Sequence, residues 1–489
     1  MLVITAWILV IYRMVGGAAY HDAQELEELF PWAVHKALSI NEQWMGIYMQ
    51  GKKIGYSHLR TDKHEDGYLI VNQSLMQMQL FGTYQQVRII SKTWTDDRYR
   101  LRKFAFWLRS PLSVFQAEGQ VAKDKLKIQW RVGKQRVKTN VPYRPAMLSS
   151  VLRPYIAAQK PPPGKKIRTL LFDPQTRSYT RTLIIVEEYE DIEIKGQKIK
   201  ALRLRQHYQG LDLLAWIDEK GEILKESSPG GMMLLRESAQ EAPLGIEKGF
   251  DMIRATRIEL KGSITAPLTR NKLSLHIDNI NLRSFPELNR GRQQLQGNVL
   301  TILKENLEDL KPLPLAPTTQ TSAQDKLSSP KRTQALIATP LIQSDHPQII
   351  DKARKLTAKA PDHLSAILAV HYWVYNSIRK QSVVGIPSAI ETLTQRVGDC
   401  NEHATLVAAL GRAAGIPCEI VTGIAYLNGH FYFHAWNECE ISPQQWISFD
   451  STWGQFPSDV THIVFARGGL EQQLALLQLL GKLKLSIEN

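Results

Sequence analysis

Between residues 44 and 225, apolar and polar residues alternate along one short run after another. That is the period-two signature of strands with one buried face. Runs 44–50 and 54–60 flank the turn Gly51-Lys52-Lys53 and predict a hairpin. Further runs lie at 68–81, 86–94, 103–108, 125–132, 181–189, 198–208 and 212–217, and Asp218-Glu219-Lys220-Gly221 turns the last of these into 222–225. This many strands in meander order predict a large antiparallel sheet, curved or rolled into a half-barrel. A helical stretch at 146–159 interrupts the strands and stops at Lys160-Pro161-Pro162-Pro163-Gly164; it is expected to lie across the open face of the sheet. Residues 252–304 repeat the strand pattern on a smaller scale.

Beyond residue 340 the period lengthens. Helices are predicted at 347–359 and 362–379, the second with Ile367, Leu368, His371, Tyr372, Trp373 and Tyr375 apolar all round, as a buried helix requires. In 402–414, Leu406, Val407, Leu410 and Ala414 form one stripe. Residues 429–441 alternate as a strand, and 470–483 read as an amphipathic helix. The stretch 312–333 is rich in Pro, Ser, Thr and Gln, which makes it a linker. The fold class is therefore α+β: an N-terminal antiparallel β domain, a small second β unit and a C-terminal domain. The expected boundaries are 1–20, a signal peptide or membrane anchor; 42–245, the β domain; 250–308, the small β-rich unit; 310–338, the linker; and 340–489, the C-terminal domain.

The C-terminal domain carries the candidate chemistry. Cys400 opens a helix within Gly398-Asp399-Cys400-Asn401-Glu402-His403-Ala404, where unpaired N–H groups and the dipole favour a thiolate. Asp399 suits the helix N-cap. His434 lies in a strand within Phe433-His434-Ala435-Trp436, and Asp450 ends the next strand within Trp446-Ile447-Ser448-Phe449-Asp450-Ser451-Thr452. That order supplies a nucleophile, a base and a group to orient the base. With Arg412-Ala413-Ala414-Gly415-Ile416-Pro417 and Asp459-Val460-Thr461-His462-Ile463, the set resembles the transglutaminase-like superfamily of papain-type thiol enzymes over roughly residues 340–481.

The resemblance implies a Cys400–His434–Asp450 catalytic triad and a papain-like fold. It implies a thiol acyl-transfer enzyme acting on peptide or carboxamide bonds, a cysteine peptidase or amidase that hydrolyses through a thioester. Two alternatives stand beside it: a protein cross-linking transglutaminase, and a non-catalytic envelope module with a vestigial triad that binds an anionic polymer or lipid. One departure is Asp450-Ser451-Thr452, where relatives usually have Asp-Pro-Thr. Trp373 or Gln381 could complete an oxyanion hole, His403 could sit beside the thiol, and Tyr426, Trp436 and Trp453 could wall a cleft. Cys418 and Cys439 are expected as core packing.

Composition narrows the rest. The chain of 489 residues is 43% hydrophobic and 8% aromatic, ordinary for globular protein. Its three cysteines supply no disulfide framework and no C-x-x-C pair for zinc, and no acidic loop resembles a calcium site, so no cofactor is expected. The net charge of +14 is concentrated in 98–181, where 20 Lys or Arg face three acids. This segment is either a solvated sheet face or a surface for an anionic membrane or cell-wall polymer. No motif accompanies it that would mark specific nucleic-acid binding. The β modules resemble those that precede such catalytic domains in bacterial envelope proteins, and in shape they are similar to lipoprotein-carrier half-barrels. With the apolar run at 1–12 they give the expected location, the cell envelope, periplasmic and membrane-associated, with a peptide or protein as substrate.

Overall fold

The computed structural model describes residues 18–20 and 42–488, apart from 65, 81, 98–99, 133–134, 144–146, 149–152, 154–155, 174–177, 209–210, 309, 316–329 and 387. Most of the expected signal or anchor segment, and residues 316–329 of the expected linker, lie outside the described residues. No described helix is long and apolar enough to cross a membrane. The chain divides into two compact units, Ile4–Ala255 and Thr256–Asn489.

Among the described residues, the first unit is one sheet of sixteen strands. They are β1 (Ala18–Tyr20), β2 (Glu42–Met49), β3 (Lys52–His64), β4 (Gly67–Leu80), β5 (Thr83–Thr95), β6 (Leu101–Arg109), β7 (Val114–Ala122) and β8 (Lys125–Val132). They continue with β9 (Gln135–Pro142), β10 (Met147–Leu148), β11 (Lys166–Asp173), β12 (Ser178–Ile194), β13 (Gln197–Tyr208), β14 (Leu211–Ile217), β15 (Ile223–Ser227) and β16 (Met232–Glu237). The order across the sheet is β10-β1-β11-β12-β13-β14-β15-β16-β2-β3-β4-β5-β6-β7-β8-β9. Alternation decides the faces. Val87 and Ile89 on β5 and Phe104, Phe106 and Leu108 on β6 are buried, while Arg88 and Arg109 between them are exposed. The expected curved sheet or half-barrel is corrected here. The pairing gives a single open ladder in which β9 and β10 are the two ends and do not pair with each other. Alternation in a sequence reports which face is buried; closure depends on register stagger around the whole sheet, which no single run encodes.

The second unit contains β17 (Ile258–Lys261), β18 (Lys272–Asp278), β19 (Gln293–Gln296), β20 (Val299–Leu303), β21 (Arg379–Lys380), β22 (Val397–Gly398), β23 (Cys418–Leu427), β24 (His430–Ser442), β25 (Gln445–Phe449), β26 (Ile463–Arg467) and β27 (Lys484–Ile487). Its principal helices are α1 (Pro347–Thr357), α2 (His363–Ser377), α3 (Ala389–Gln395) and α4 (Cys400–Ala413). A mixed sheet runs β19-β20-β18-β27-β17-β24-β23-β26, with β25 paired to β24. The small second β unit expected at 250–308 is thereby corrected. Its strands continue the C-terminal sheet, because β17 pairs with β24 at Ile258 and Phe431, and β27 inserts between β17 and β18. The helix expected at 470–483 is also replaced, by a short helical turn (Leu470–Gln473), a 3-10 segment (Leu474–Leu479) and then β27. Leu476, Leu477, Leu479, Leu480, Leu483 and Leu485 are all buried, and a short apolar run does not reveal its own period.

Helix α4 starts where the sequence places it. The Asp399 side chain caps it by accepting from the Asn401 N–H at 3.0 Å, and Glu402 accepts from the Asp399 N–H at 3.0 Å, a reciprocal capping box. A Cβ on Gly398 would lie 2.3 Å from the Glu402 Cβ, so this box needs glycine there. Further along, α4 passes over a disulfide between Cys418 and Cys439, directly opposed on β23 and β24 with Cα atoms 4.2 Å apart. The expectation of two free core thiols is corrected accordingly.

Gly411 is where the helix meets that disulfide. A Cβ there would lie 2.4 Å from the Cys418 sulfur, which the cross-link holds in place. Replacing a mid-helix glycine by alanine ordinarily stabilises by up to about 1 kcal/mol, but overpacking costs roughly 1–3 kcal/mol. The clash should win. Gly411→Ala is expected to lower the urea midpoint of the second unit, followed by tryptophan fluorescence; a raised midpoint would show that helix and disulfide are not in close contact.

Candidate functional site

The centre of the second unit is a carboxylate taken out of water. Asp450 follows β25 and is fully buried. Its Oδ1 accepts from the Thr452 N–H at 2.7 Å and the Trp453 N–H at 3.3 Å. Its Oδ2 accepts from His434 Nε2 at 2.8 Å and from His462 Nε2 at 3.3 Å. The other ring nitrogen of His462 reaches Asp459 Oδ1 at 3.1 Å. Trp453 stacks on the His434 ring with centroids 4.4 Å apart. The resemblance motif contained His462, but its place on the same carboxylate as His434 was not read from the sequence.

Two further residues were missed altogether. Arg292 donates to the carbonyls of Ser458 (2.7 Å), Asp459 (2.6 Å) and His462 (3.0 Å), fixing the loop that carries His462. Gln293 exchanges two hydrogen bonds with the backbone of Val464, at 2.6 and 3.0 Å. Both come from the segment read as a separate unit, more than 160 residues away in the chain, and no local signal in the sequence ties them to this loop.

Burial alone would raise the Asp450 carboxyl, but the charges and hydrogen bonds of His434 and His462 outweigh it and hold the group well below the usual carboxylate range. Asp459 behaves likewise: burial opposes, and His462 and Thr461 prevail. Burial would discharge His462, yet its hydrogen bonds to Asp450 and Asp459 raise its pKa and favour the imidazolium. His434, Asp450 and His462 also bring one potential metal ligand atom each within 4.8 Å of one another. Those atoms already bond to each other, so the cluster is satisfied as a hydrogen-bonded network.

The structure brings His434 and Asp450 together as expected, but it corrects the thiol chemistry. Cys400 is buried, and burial followed by the charge of Asp399 pushes its thiol far above the ordinary cysteine range, with Glu402 adding to the effect. Its sulfur is hydrogen-bonded to the backbone of Ala435, and among the described residues no hydrogen bond joins it to His434. The His434–Asp450–His462 cluster has no cysteine partner, and Cys418 and Cys439 are cross-linked. The expectation of an enzyme, whether cysteine peptidase, amidase, acyltransferase or cross-linking transglutaminase, is therefore corrected, because each requires a thiolate paired with an imidazole.

The other residues expected around the thiol have structural partners. His403 Nδ1 bonds the Asp399 carbonyl at 2.6 Å. Trp373 lies beneath Lys352 and Arg396, whose cationic groups are 3.9 and 4.4 Å from its ring. Gln381 is tied through its N–H to the Gly398 carbonyl at 3.0 Å.

A second candidate lies on the first unit. Strand parity puts Arg88 and Lys92 of β5, Lys103 and Arg109 of β6, Lys125, Lys127 and Arg131 of β8, and Arg136 and Lys138 of β9 on one outward face. The acid on this face in these strands is Glu118 of β7. Arg88 directly opposes Arg109, and Arg131 directly opposes Arg136. None of these cations has an ion pair with a described residue, whereas Arg203 and Arg205 elsewhere in the sheet are paired with Glu187.

The transglutaminase-like superfamily model matches residues 350–451. This part of the chain has a transglutaminase-like fold. It spans α1 to the turn after Asp450 and takes in Cys400 and His434. No curated protein sequence matches the chain. Three solved structures are similar in part. One is a candidate cysteine protease from Cytophaga hutchinsonii, with 19% identity and TM-score 0.28 over 44% of this chain and 83% of that one. Another is a β-barrel-like protein of the domain of unknown function DUF1849 from Brucella abortus, with 11% identity and TM-score 0.31 over 40% and 95%. The third is the periplasmic domain of TgpA from Pseudomonas aeruginosa bound to ethylmercury, with 20% identity and TM-score 0.23 over 36% and 67%.

A neutral, buried thiol should react slowly. Labelling of Cys400 by a maleimide at pH 8 is expected to be slower in the native protein than in the urea-unfolded chain, by on the order of a hundredfold or more. Equal rates would restore the thiolate.

The carboxylate cluster sets a pH window. Asp450 and Asp459, with depressed folded pKa values, stabilise the fold above about pH 4 and lose that contribution as pH falls. His462, with a raised folded pKa, contributes fully below about pH 6.5 and loses its contribution as pH rises through the folded value. The urea midpoint of the second unit should therefore be highest between these limits. His462→Asn should flatten the alkaline limb, and a wild-type midpoint level from pH 6.5 to 9 would contradict the charged imidazole.

Proposed function

We propose that this protein is a non-catalytic module of the cell envelope that binds an anionic polymer or lipid through the basic face of its N-terminal sheet. In this reading Cys400, His434 and Asp450 are a vestigial triad, with His434 and Asp450 kept as part of the buried network that shapes the second unit. The observation that carries the reading is the two pairs of directly opposed arginines, Arg88 with Arg109 and Arg131 with Arg136. Like charges placed opposite each other across a ladder destabilise it. An anionic partner turns that repulsion into attraction. The Cys418–Cys439 disulfide supports an exported location, since such cross-links persist in oxidising compartments and are rare in the cytosol.

Retention of the full chain on dextran sulfate and on acidic vesicles tests the reading. Screening shortens electrostatic reach to about 10 Å at 0.1 M salt, so retention should be strong at low salt, fall steeply as salt rises and be unchanged in Cys400→Ala. No retention at low salt on either material would refute an anionic partner.

A further inference from the structure

The basic face is not uniformly polar. Between Arg88, Lys92 and Arg109 lies an open hollow of about 300 Å³, floored by Ile90, Trp107 and Val114. These six share the face because Ile90 opposes Trp107 and Arg109 opposes Val114 across β5, β6 and β7. Val114 is exposed, and Ile90 and Trp107 are half-buried, although the opposite face of the same strands already holds the apolar core. The Lys92 ammonium lies 6.0 Å from the centre of the Trp107 ring, and Lys103 lies 5.0 Å from that of Trp94, so cations and aromatic rings interleave.

We infer that this hollow and the cations around it dock the protein on an acidic phospholipid surface. A headgroup phosphate meets the Arg88–Arg109 pair, and the apolar floor takes the glycerol backbone and the first part of an acyl chain. The inference rests on the proposed reading that the face takes an anionic partner, and it names that partner. A guanidinium matches a phosphate with parallel N–H donors, and tryptophan beside lysine suits the boundary between headgroups and hydrocarbon. A hydrated anionic glycan would ask for neutral hydrogen-bonding side chains in the hollow, and Gln116 is the one that lines it. The cations of β5, β6, β8 and β9 span a width of five neighbouring strands. At about 4.8 Å per strand this makes a field roughly 20 Å wide, broad enough to face several headgroups at once.

Sedimentation of the full chain with phosphatidylcholine vesicles, with and without phosphatidylglycerol, is the test. The wild type should bind only the acidic vesicles. Each cation near an acidic leaflet is worth roughly fivefold in partitioning, so Arg88→Gln with Arg109→Gln should weaken binding on the order of 25-fold. The same pair relieves a like-charge contact, so its urea midpoint should equal or exceed that of the wild type, which separates lost binding from lost folding. Val114→Asn, which removes apolar surface without adding charge, should weaken vesicle binding but leave retention on dextran sulfate nearly intact. If the arginine variant binds vesicles as the wild type does, the hollow is not the site, although an anionic partner survives. If the wild type binds dextran sulfate and ignores acidic vesicles, the lipid is overturned and the broader reading stands. If it binds neither, both fall.

Discussion

One buried carboxylate organises the second unit. Asp450 sits where no water reaches it, and a charge there is tolerable only if donors converge on it. Two backbone N–H groups and two imidazoles do so. That requirement fixes the turn after β25, the position of β24 and the loop before β26. The loop in turn needs Arg292, which reaches it from the far end of the same sheet. The strands at 258–303 are therefore bound to the transglutaminase-like segment by the electrostatics of a single side chain as well as by backbone pairing.

The two units handle charge in opposite ways. In the second, Arg467 is closed by Glu438 and Glu287, and Arg292 by Glu305, so buried charges find partners within the unit. In the first, β5, β6, β8 and β9 present cations to the outside, and two pairs of arginines among them are directly opposed. A sheet that could have alternated signs across its strands carries, among the described residues, a single acid, Glu118, beside these cations, so this face has a strong excess of positive charge.

Much of this was legible in the sequence. The alternation of β3 to β8 revealed its buried face, and Asp399 with Glu402 announced the start of α4 through the spacing of a capping box. The resemblance brought His434 and Asp450 to each other. What failed were properties that belong to pairs rather than to runs. Cys418 lies ten residues before Asn428 and Cys439 ten after Gly429, and the Asn-Gly turn, with both residues at positive φ, makes them direct partners. Counting outward from that turn would have found the disulfide; judging each cysteine on its own strand did not. Cys400 looked nucleophilic from its place at a helix start, but the dipole there is a modest effect. Full burial beside Asp399 and Glu402 overrides it. The Leu-rich run before β27 hid its strand because it is buried on every side.

The position of β27 bears on the order in which the molecule can be made. Residues 258–261 lie in the sheet beside residues 484–487, in parallel, and β18 flanks the same strand. As the chain emerges during synthesis or translocation, β17 and β18 appear more than 200 residues ahead of the strand that belongs between them. Until it arrives, both expose unsatisfied edges of the kind that invite pairing with a neighbouring chain. A nascent second unit is therefore a natural client for a holding chaperone, and it becomes safe from its own copies only once the sheet receives its last strand.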